Sequence, residues 1–93
     1  MTTRLDLTKE LLRNEDIEGL LSMGAPHDEY GPEAEMIVNR VGKAESEAPS
    51  HRIIREEIEA IISSVWKEMF GLSEEQLRHR HRAFQEVAAQ LAP

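Results

Sequence analysis

Apolar residues recur every three or four positions through the second half of the chain, which is the spacing of one face of an α-helix. The first stripe lies between Ser50 and Phe70 and consists of Ile53, Ile54, Ile58, Ile61, Ile62, Val65, Trp66, Met69 and Phe70. Ser50 is a suitable N-cap because its hydroxyl oxygen accepts a backbone N–H, and Gly71 is a suitable C-cap because glycine tolerates the left-handed conformation. The pattern predicts a long helix over 50–70 with one broad buried face.

A second helical stripe follows after a short link. Ser73 and Gln76 have the spacing of a capping box, in which each side chain bonds to the backbone of the other residue. The apolar face then consists of Leu77, His81, Phe84, Val87, Ala88 and Leu91, and the chain ends at Pro93. Because only Gly71 and Leu72 join the two helices, the sequence predicts an antiparallel helical hairpin. Its expected centre consists of Trp66, Phe70, Leu77 and Phe84.

The first half of the chain has a weaker periodic pattern. Thr8 is a suitable N-cap for a short helix that ends near Arg13. Residues 14–24 are ambiguous, since their apolar residues have helical spacing while Gly19 and Gly24 weaken a regular helix. The pattern favours one or two helical turns in this segment, followed by a break.

A further helix is predicted after a loop at residues 25–31. Pro32 suits its first position, where the missing N–H costs nothing, and its buried side consists of Ala34, Ile37, Val38 and Val41. Residues 42–49 are polar and are expected to form a flexible linker. The chain is therefore predicted to be a single all-α domain over residues 1–93, a small bundle of three to four helices with a C-terminal antiparallel hairpin.

The composition restricts the function classes. The 93 residues suffice for one small domain, and the absence of cysteine removes disulfides, thiolate zinc sites and cysteine nucleophiles. The formal net charge of −7 disfavours nucleic-acid binding, which depends on Lys and Arg contacts to phosphates. No apolar run approaches the roughly 20 residues of a membrane span. The first residues also lack the apolar core of a signal peptide, so a cytoplasmic location is expected.

Acidic side chains are concentrated in the N-terminal half. Residues 1–49 contain 11 acidic and five basic residues, and residues 14–35 contain no Lys or Arg. Such a segment favours association with a basic partner protein. The candidate interaction surface consists of Asp28, Glu29, Tyr30 and Glu33. Tyrosine is favoured at interfaces, but two alternatives stay open. The acidic segment and the basic helix face each other or solvent, or Tyr30 packs on the hairpin with its hydroxyl bonded locally.

The C-terminal helix carries a basic run with the sequence Arg-His-Arg-His-Arg. Arg78 and Arg82 share one helical face, whereas Arg80 points elsewhere. His81 falls within the apolar stripe, so a buried or half-buried histidine is expected there. A single cluster in a chain of this net charge does not indicate DNA binding.

Patterns for catalysis and metal binding are absent or incomplete. The chain has no nucleophile elbow, phosphate loop or dinucleotide fingerprint, so we predict no catalytic, cofactor-binding or metal-binding residues. The loop His27-Asp28-Glu29 offers nitrogen and oxygen donors, but a histidine pair at i and i+4 is missing. A small enzyme or metal-dependent protein that uses this loop is the alternative to an interaction module.

The segment GLLSMGAPHDEY at residues 19–30, followed by Glu33, Glu35 and Ile37, resembles small bacterial proteins of the YugE-like family, in which an AP-x-DEY element leads into a helix. The later pattern Ile-x-x-Val-Trp-x-x-Met-Phe, at residues 62–70, is also similar. The resemblance covers the whole chain, although Gly31 stands where the family often has aspartate. It implies an all-helical fold and supplies no activity; several relatives resemble immunity proteins that neutralise toxins.

The sequence thus favours a protein–protein interaction or immunity-like module with a partner that is another, basic protein. Homodimerisation through the isoleucine-rich helix is a further alternative, because its wide apolar stripe exceeds what the short first half covers.

Overall fold

The computed structural model describes residues 3–19, 22–24, 29–47 and 54–92. These residues form five helices and no strand, which confirms the all-α prediction. The helices are α1 (Arg4–Glu15), α2 (Gly31–Glu47), α3 (Arg55–Phe70), α4 (Glu74–His79) and α5 (His81–Leu91). Four of them are long, and α4 is a short additional helix of six residues.

The four long helices pack in a ring around one apolar core. Helix α1 packs against α2 and α5, and α3 also packs against α2 and α5. Each long helix therefore buries its apolar face against two neighbours. The buried apolar residues are Leu12, Tyr30, Ala34, Ile37, Val41, Ile58, Ile62, Val65, Trp66, Leu77, Phe84, Val87 and Ala88.

The C-terminal hairpin is antiparallel, as predicted. Two side-chain contacts show the direction: His81 Nδ1 lies 2.8 Å from Glu59 Oε1, and Lys67 Nζ lies 3.0 Å from Glu74 Oε1. Along α3 the residue number rises while the number of the partner residue falls. The hairpin contains the expected aromatic centre, in which the ring centroid of Trp66 lies 5.4 Å from that of Phe70 and 5.8 Å from that of Phe84.

Local signals for both ends of the hairpin link are confirmed. Gly71 has a φ of 63°, and its N–H donates to the carbonyl of Lys67 at 2.9 Å. The capping box is complete: Gln76 N–H donates to Ser73 Oγ at 3.2 Å, and Ser73 N–H donates to Gln76 Oε1 at 2.9 Å. Because these bonds join residues close in sequence, their pattern is visible without the fold.

The predicted continuous helix from Ser73 to the chain end is wrong, because it is interrupted at Arg80. The backbone of Arg80 has φ −100° and ψ 0°, between the helical and extended regions. Its N–H donates to the carbonyl of Leu77 at 3.0 Å, and its guanidinium donates to the carbonyl of Gln76 at 2.7 Å. These bonds satisfy two of the carbonyls in the last turn of α4, and α5 begins at the next residue.

The N-terminal helix begins earlier than predicted. Thr3 is its N-cap: Asp6 N–H donates to Thr3 Oγ1 at 3.0 Å, and Asp6 accepts from the Thr3 N–H at 3.4 Å. Thr8 lies inside the helix, fully buried, where its hydroxyl donates to the carbonyl of Arg4 at 2.7 Å. The helix ends at Glu15, so the described residues 17–19 and 22–24 form turns rather than helix.

The predicted linker at 42–49 is wrong for residues 42–47, which belong to α2. The polar composition hid a helical face formed by Ile37, Val41 and Ala44, all of which pack into or against the core. Arg4 Nη1 lies 2.7 Å from Glu45 Oε1, so an ion pair also joins this end of α2 to α1.

The structure describes the isoleucine-rich helix only from its N-cap residue, Ile54, which makes no side-chain capping bond. The predicted cap at Ser50, like residues 48 and 49, lies outside the described residues. None of the described helices is long and apolar enough to cross a membrane.

Candidate functional site

The described residues of the predicted interaction surface differ in their exposure to solvent. Glu29 is exposed, whereas Tyr30 is 1% exposed and Glu33 is 6% exposed. Asp28 lies outside the described residues. The ring of Tyr30 stacks on Trp66 at a centroid distance of 6.0 Å, so Tyr30 packs against the hairpin, which is the alternative that the sequence left open for it.

The hydroxyl of Tyr30 holds the turn that follows α1. It donates to Asp16 Oδ1 at 2.8 Å and accepts from the backbone N–H of Glu18 at 3.1 Å. The other carboxylate oxygen of Asp16 accepts from the backbone N–H of Ser22 at 3.0 Å and from its hydroxyl at 2.8 Å. Asp16 has a φ of 43°, a left-handed conformation that aspartate tolerates better than most residues. These bonds hold Asp16, Glu18 and Ser22 in place around the hydroxyl of Tyr30 and the carboxylate of Asp16.

Glu18 attaches the same turn to the hairpin. Its Oε2 accepts from the indole N–H of Trp66 at 2.9 Å, and its Oε1 accepts from Arg80 Nη2 at 2.9 Å. Arg80 Nε also donates to Oε2. Hydrogen bonds from Arg80 lower the pKa of the Glu18 carboxyl, with Trp66 adding to the effect, although burial acts in the opposite direction. The carboxylate is therefore engaged in holding the fold together.

Sequence reasoning missed the roles of Glu18 and Asp16. It did separate Arg80 from the face of Arg78 and Arg82, and the structure gives Arg80 a distinct role in the pair with Glu18. Because Glu18 and Arg80 are 62 residues apart, no local spacing links them. The only sequence signal was the presence of an acidic turn and a basic helix within one chain.

Glu33 is more deeply buried than Glu18, and it lacks this set of donors. Its Oε2 has no hydrogen-bond partner among the described residues. Burial raises the pKa of the Glu33 carboxyl, and the nearby charge of Glu29 acts in the same direction. A bond to its own backbone lowers the pKa, but burial is the larger effect.

A polar groove lies between α3 and α5. One part is a cavity of about 300 Å³ lined by Arg55, Glu56, Glu59, Gln85, Glu86 and Ala89. The adjoining part shares three of these residues and adds Ala60, Ser63 and His81. The groove thus brings together glutamates from both helices of the hairpin.

His81 lies in this groove and not in the apolar core. Its side chain is 58% exposed, so the prediction of a buried or half-buried histidine is wrong. The helix is broken at Arg80 and α5 begins at His81. The apolar periodicity of α4 therefore does not continue into α5. Glu59 holds Nδ1 of the His81 ring, and Gln85 Nε2 lies 3.0 Å from its Nε2.

The described residues contain no group of three histidine, aspartate or glutamate side chains placed to hold a metal ion. Of the alternative site at His27-Asp28-Glu29, only Glu29 belongs to the described part of the chain. A metal-dependent function of that loop therefore stays a prediction.

Comparisons with protein-family models, curated proteins and solved structures give no match to this chain. The resemblance to the YugE-like family accordingly stays a prediction.

Proposed function

We propose that this protein is an interaction module that binds a basic segment of another protein in the groove between α3 and α5. The observation that carries this proposal is the meeting of Glu56 and Glu59 from α3 with Glu86 from α5 around one cavity. Negative charge lining a concave surface attracts a basic partner and fixes its register. The proposal keeps the basic partner expected from the sequence and moves its binding site from the loop to the hairpin.

The packing of α3 favours a different protein over a second copy as the partner. Ile58 and Ile62 are fully buried within the chain, so the isoleucine face that suggested a homodimer is already covered. Among the described apolar residues of this stripe, the exposed ones are Ile54 and Met69, near the two ends of the helix. An immunity-like role is one form of the proposed binding function, and a cytoplasmic location is part of the same hypothesis.

A hydrolytic function of the groove is less well supported. Glu59, His81 and Ser63 line one cavity, and a catalytic serine requires the histidine nitrogen opposite the carboxylate to face its hydroxyl. Here that nitrogen, Nε2, lies 3.0 Å from Gln85 instead. The arrangement suits a structural side-chain network along the groove better than a nucleophile.

A binding experiment with matched variants tests the proposal. The probe is a fluorescent nine-residue peptide of Lys, Arg and Gly, titrated with the full chain at low salt. We expect the triple variant Glu56→Gln, Glu59→Gln, Glu86→Gln to bind the peptide at least about tenfold more weakly than the native chain. The reason is that hydrogen bonds to a carboxylate are stronger than hydrogen bonds to a neutral amide. The matched control is Glu10→Gln, Glu35→Gln, Glu47→Gln, which removes the same charge from exposed positions on α1 and α2.

The outcomes discriminate between sites. Unchanged binding in the control, with loss in the groove variant, supports the proposal. Equal losses in both variants would show non-specific attraction to the net charge and would overturn it, as would no binding of the peptide by the native chain. The single variant Glu29→Gln is included as a test of the loop surface, and a loss confined to that variant would return the site to the loop.

A further inference from the structure

The four residues from Asp16 to Gly19, which we call the strap, follow directly after α1. Their backbone–backbone hydrogen bonds to other described residues are local. The N–H of Asp16 donates to the carbonyl of Leu12 at 2.9 Å, and the N–H of Gly19 donates to the carbonyl of Asp16 at 2.8 Å. The carbonyl of Gly19 accepts from Met23 at 3.2 Å. None of these bonds reaches α2, α3, α4 or α5, so within the described residues side chains attach the strap to the rest of the fold.

Most of these attachments are polar. The one apolar side chain of the strap, Ile17, is half-buried and packs against the core. The Glu18 carboxylate accepts from Trp66 and Arg80, and the backbone N–H of Glu18 donates to the hydroxyl of Tyr30. When the strap moves away, water replaces each of these bonds, so their net contribution is smaller than that of a fully buried apolar side chain.

The groups that receive the strap are held in place without it. The fully buried ring of Trp66 lies 5.4 Å from that of Phe70 and 5.8 Å from that of Phe84, measured between centroids. Arg80 Nη1 donates to the carbonyl of Gln76 at 2.7 Å. Because none of these contacts involves the strap, its release leaves them intact and the helices packed.

Two further features favour release of the strap. Asp16 has a φ of 43°, a left-handed conformation that is unfavourable for a residue other than glycine, and release removes this cost. The contact of Glu18 with Arg80 is also not sealed from solvent, since the two side chains are 13% and 24% exposed. Water can therefore reach the charged bonds that must break first.

We propose that the strap opens as a unit while the helices stay packed, and that the closed strap blocks two hydrogen-bond donors, the indole N–H of Trp66 and the guanidinium of Arg80. Such an opening is an equilibrium within the native state, as hydrogen exchange detects for weakly attached segments. The Glu18 carboxylate acts as an internal competitor, so an outside acceptor reaches both donors only in the open state. The inference is independent of the proposed binding function, because no strap residue lines the α3–α5 groove.

Exchange of the Trp66 indole hydrogen measures the opening. The chain has one tryptophan, so ¹⁵N-labelled protein gives a single indole signal. In the closed state this N–H is buried and bonded to Glu18, and it exchanges with solvent when the strap opens. In the full chain we expect its protection factor to be at least about tenfold lower than those of the most protected amides of α3 and α5. Low urea concentrations should accelerate its exchange less steeply than that of those amides, because opening exposes little surface.

A second hydrogen shows whether the strap moves as a unit. The backbone N–H of Glu18 is bonded to the hydroxyl of Tyr30 and not to the hairpin. If the whole strap leaves, this N–H and the indole N–H of Trp66 become accessible in the same event. We therefore expect their protection factors to agree within about threefold.

Matched variants separate opening of the strap from unfolding of the chain. Ile58→Val removes one methylene from a core residue that is 1% exposed. It is expected to speed exchange of the most protected amides about fivefold and to leave indole exchange within about 1.5-fold. Glu18→Gln is expected to speed indole exchange about tenfold, because a neutral amide holds Arg80 less strongly. The charge control is Glu10→Gln, at an exposed position on α1, which should leave indole exchange unchanged.

The opposite results would overturn the proposal. Equal acceleration of the indole and the core amides by Ile58→Val would show that Trp66 is exposed only by global unfolding, as would an indole protection factor equal to that of the core amides in the native chain. Unequal protection of the indole and the Glu18 N–H would show that the strap does not move as a unit. No acceleration by Glu18→Gln in a chain whose ¹⁵N spectrum is folded would remove Glu18 as the group that closes the strap.

Discussion

Two glutamates, the partly buried Glu18 and the buried Glu33, have opposite surroundings. Glu18 accepts hydrogen bonds from Trp66 and Arg80 and connects the turn after α1 to the hairpin. Glu33 lies in the first turn of α2 with one carboxylate oxygen that has no partner among the described residues. The pKa of Glu18 is lowered by the hydrogen bonds from Arg80, and the pKa of Glu33 is raised by burial.

The difference shows that burial alone does not decide whether a carboxylate stabilises a fold. Moving the charge out of water is unfavourable in both places. At Glu18 this cost is offset by donors from Trp66 in α3 and from Arg80 at the break between α4 and α5, whereas at Glu33 the described surroundings give no comparable compensation. Glu18 is therefore expected to stabilise the folded chain at neutral pH, and Glu33 to destabilise it.

The largest predicted effect follows from removing the cation beside Glu18. Arg80→Ala is expected to lower the free energy of unfolding by about 2 kcal/mol, because the carboxylate stays largely buried without its main donors. This value is below that for a fully buried pair, since the Glu18 side chain is 13% exposed and the Arg80 side chain 24% exposed. Urea denaturation at pH 7 measures the change.

The matched control is Arg82→Ala, which removes an exposed arginine two positions later. Its expected change is within about 0.5 kcal/mol. Similar losses in the two variants would contradict a special role of Arg80 and would attribute the effect to helix composition.

A second prediction concerns the charge of Glu18 itself. Glu18→Gln is expected to lower the free energy of unfolding by about 1.5 kcal/mol at pH 7, since a neutral amide pairs less strongly with Arg80. The folded pKa of Glu18 lies below the unfolded value of 4.5, so its contribution is complete above pH 4.5. It is lost as the pH falls through the folded pKa. The difference between the native chain and Glu18→Gln should therefore narrow in acid, and a constant difference from pH 7 to pH 3 would refute this account.

The third prediction tests the hydroxyl that orders the turn. Tyr30→Phe keeps the aromatic ring against Trp66 but removes the group that contacts both Asp16 and the N–H of Glu18. We expect a loss of about 1 kcal/mol by urea denaturation, the usual effect of a deleted hydrogen bond. The control is Ser22→Ala, whose exposed hydroxyl contacts the other oxygen of Asp16 and should contribute less. A larger loss of stability in Ser22→Ala than in Tyr30→Phe would show that the exposed serine, and not the buried tyrosine, stabilises the turn.

Much of the fold could be predicted from the sequence, because the signals that begin, end and orient a helix involve residues close together in the chain. The apolar stripe of α3, the left-handed Gly71 and the capping box at Ser73 each involve residues within a few positions of one another. Errors arose where weak local signals competed, as at Thr8, a plausible cap that is buried inside α1. The last turns of α2 were also mispredicted as a linker, because most of their residues are polar. The buried side of the helix continues to Ala44.

The functional surface was less predictable because it depends on pairings across the fold. The pair of Glu18 and Arg80 joins residues that are far apart in the chain, and composition alone does not rank one acid above another. The aromatic character of Tyr30 suggested an interface, while the structure uses it to fill the core. In the groove, Glu86 becomes a neighbour of Glu56 and Glu59 only when α3 and α5 pack together.

The smallest predicted effect is a gain of stability on the other side of the comparison. Glu33→Gln is expected to raise the free energy of unfolding at pH 7 by somewhat less than about 1 kcal/mol, because the buried charge is removed while the side-chain shape is kept. The folded pKa of Glu33 lies above the unfolded value of 4.5, so the protonated side chain favours folding at low pH. This contribution is lost as the pH rises through the folded pKa. The advantage of Glu33→Gln should consequently vanish below pH 4.5, and the exposed control Glu35→Gln should show no such dependence. A loss of stability at pH 7 would mean that the Glu33 carboxylate has a stabilising partner, and the contrast with Glu18 would then fail.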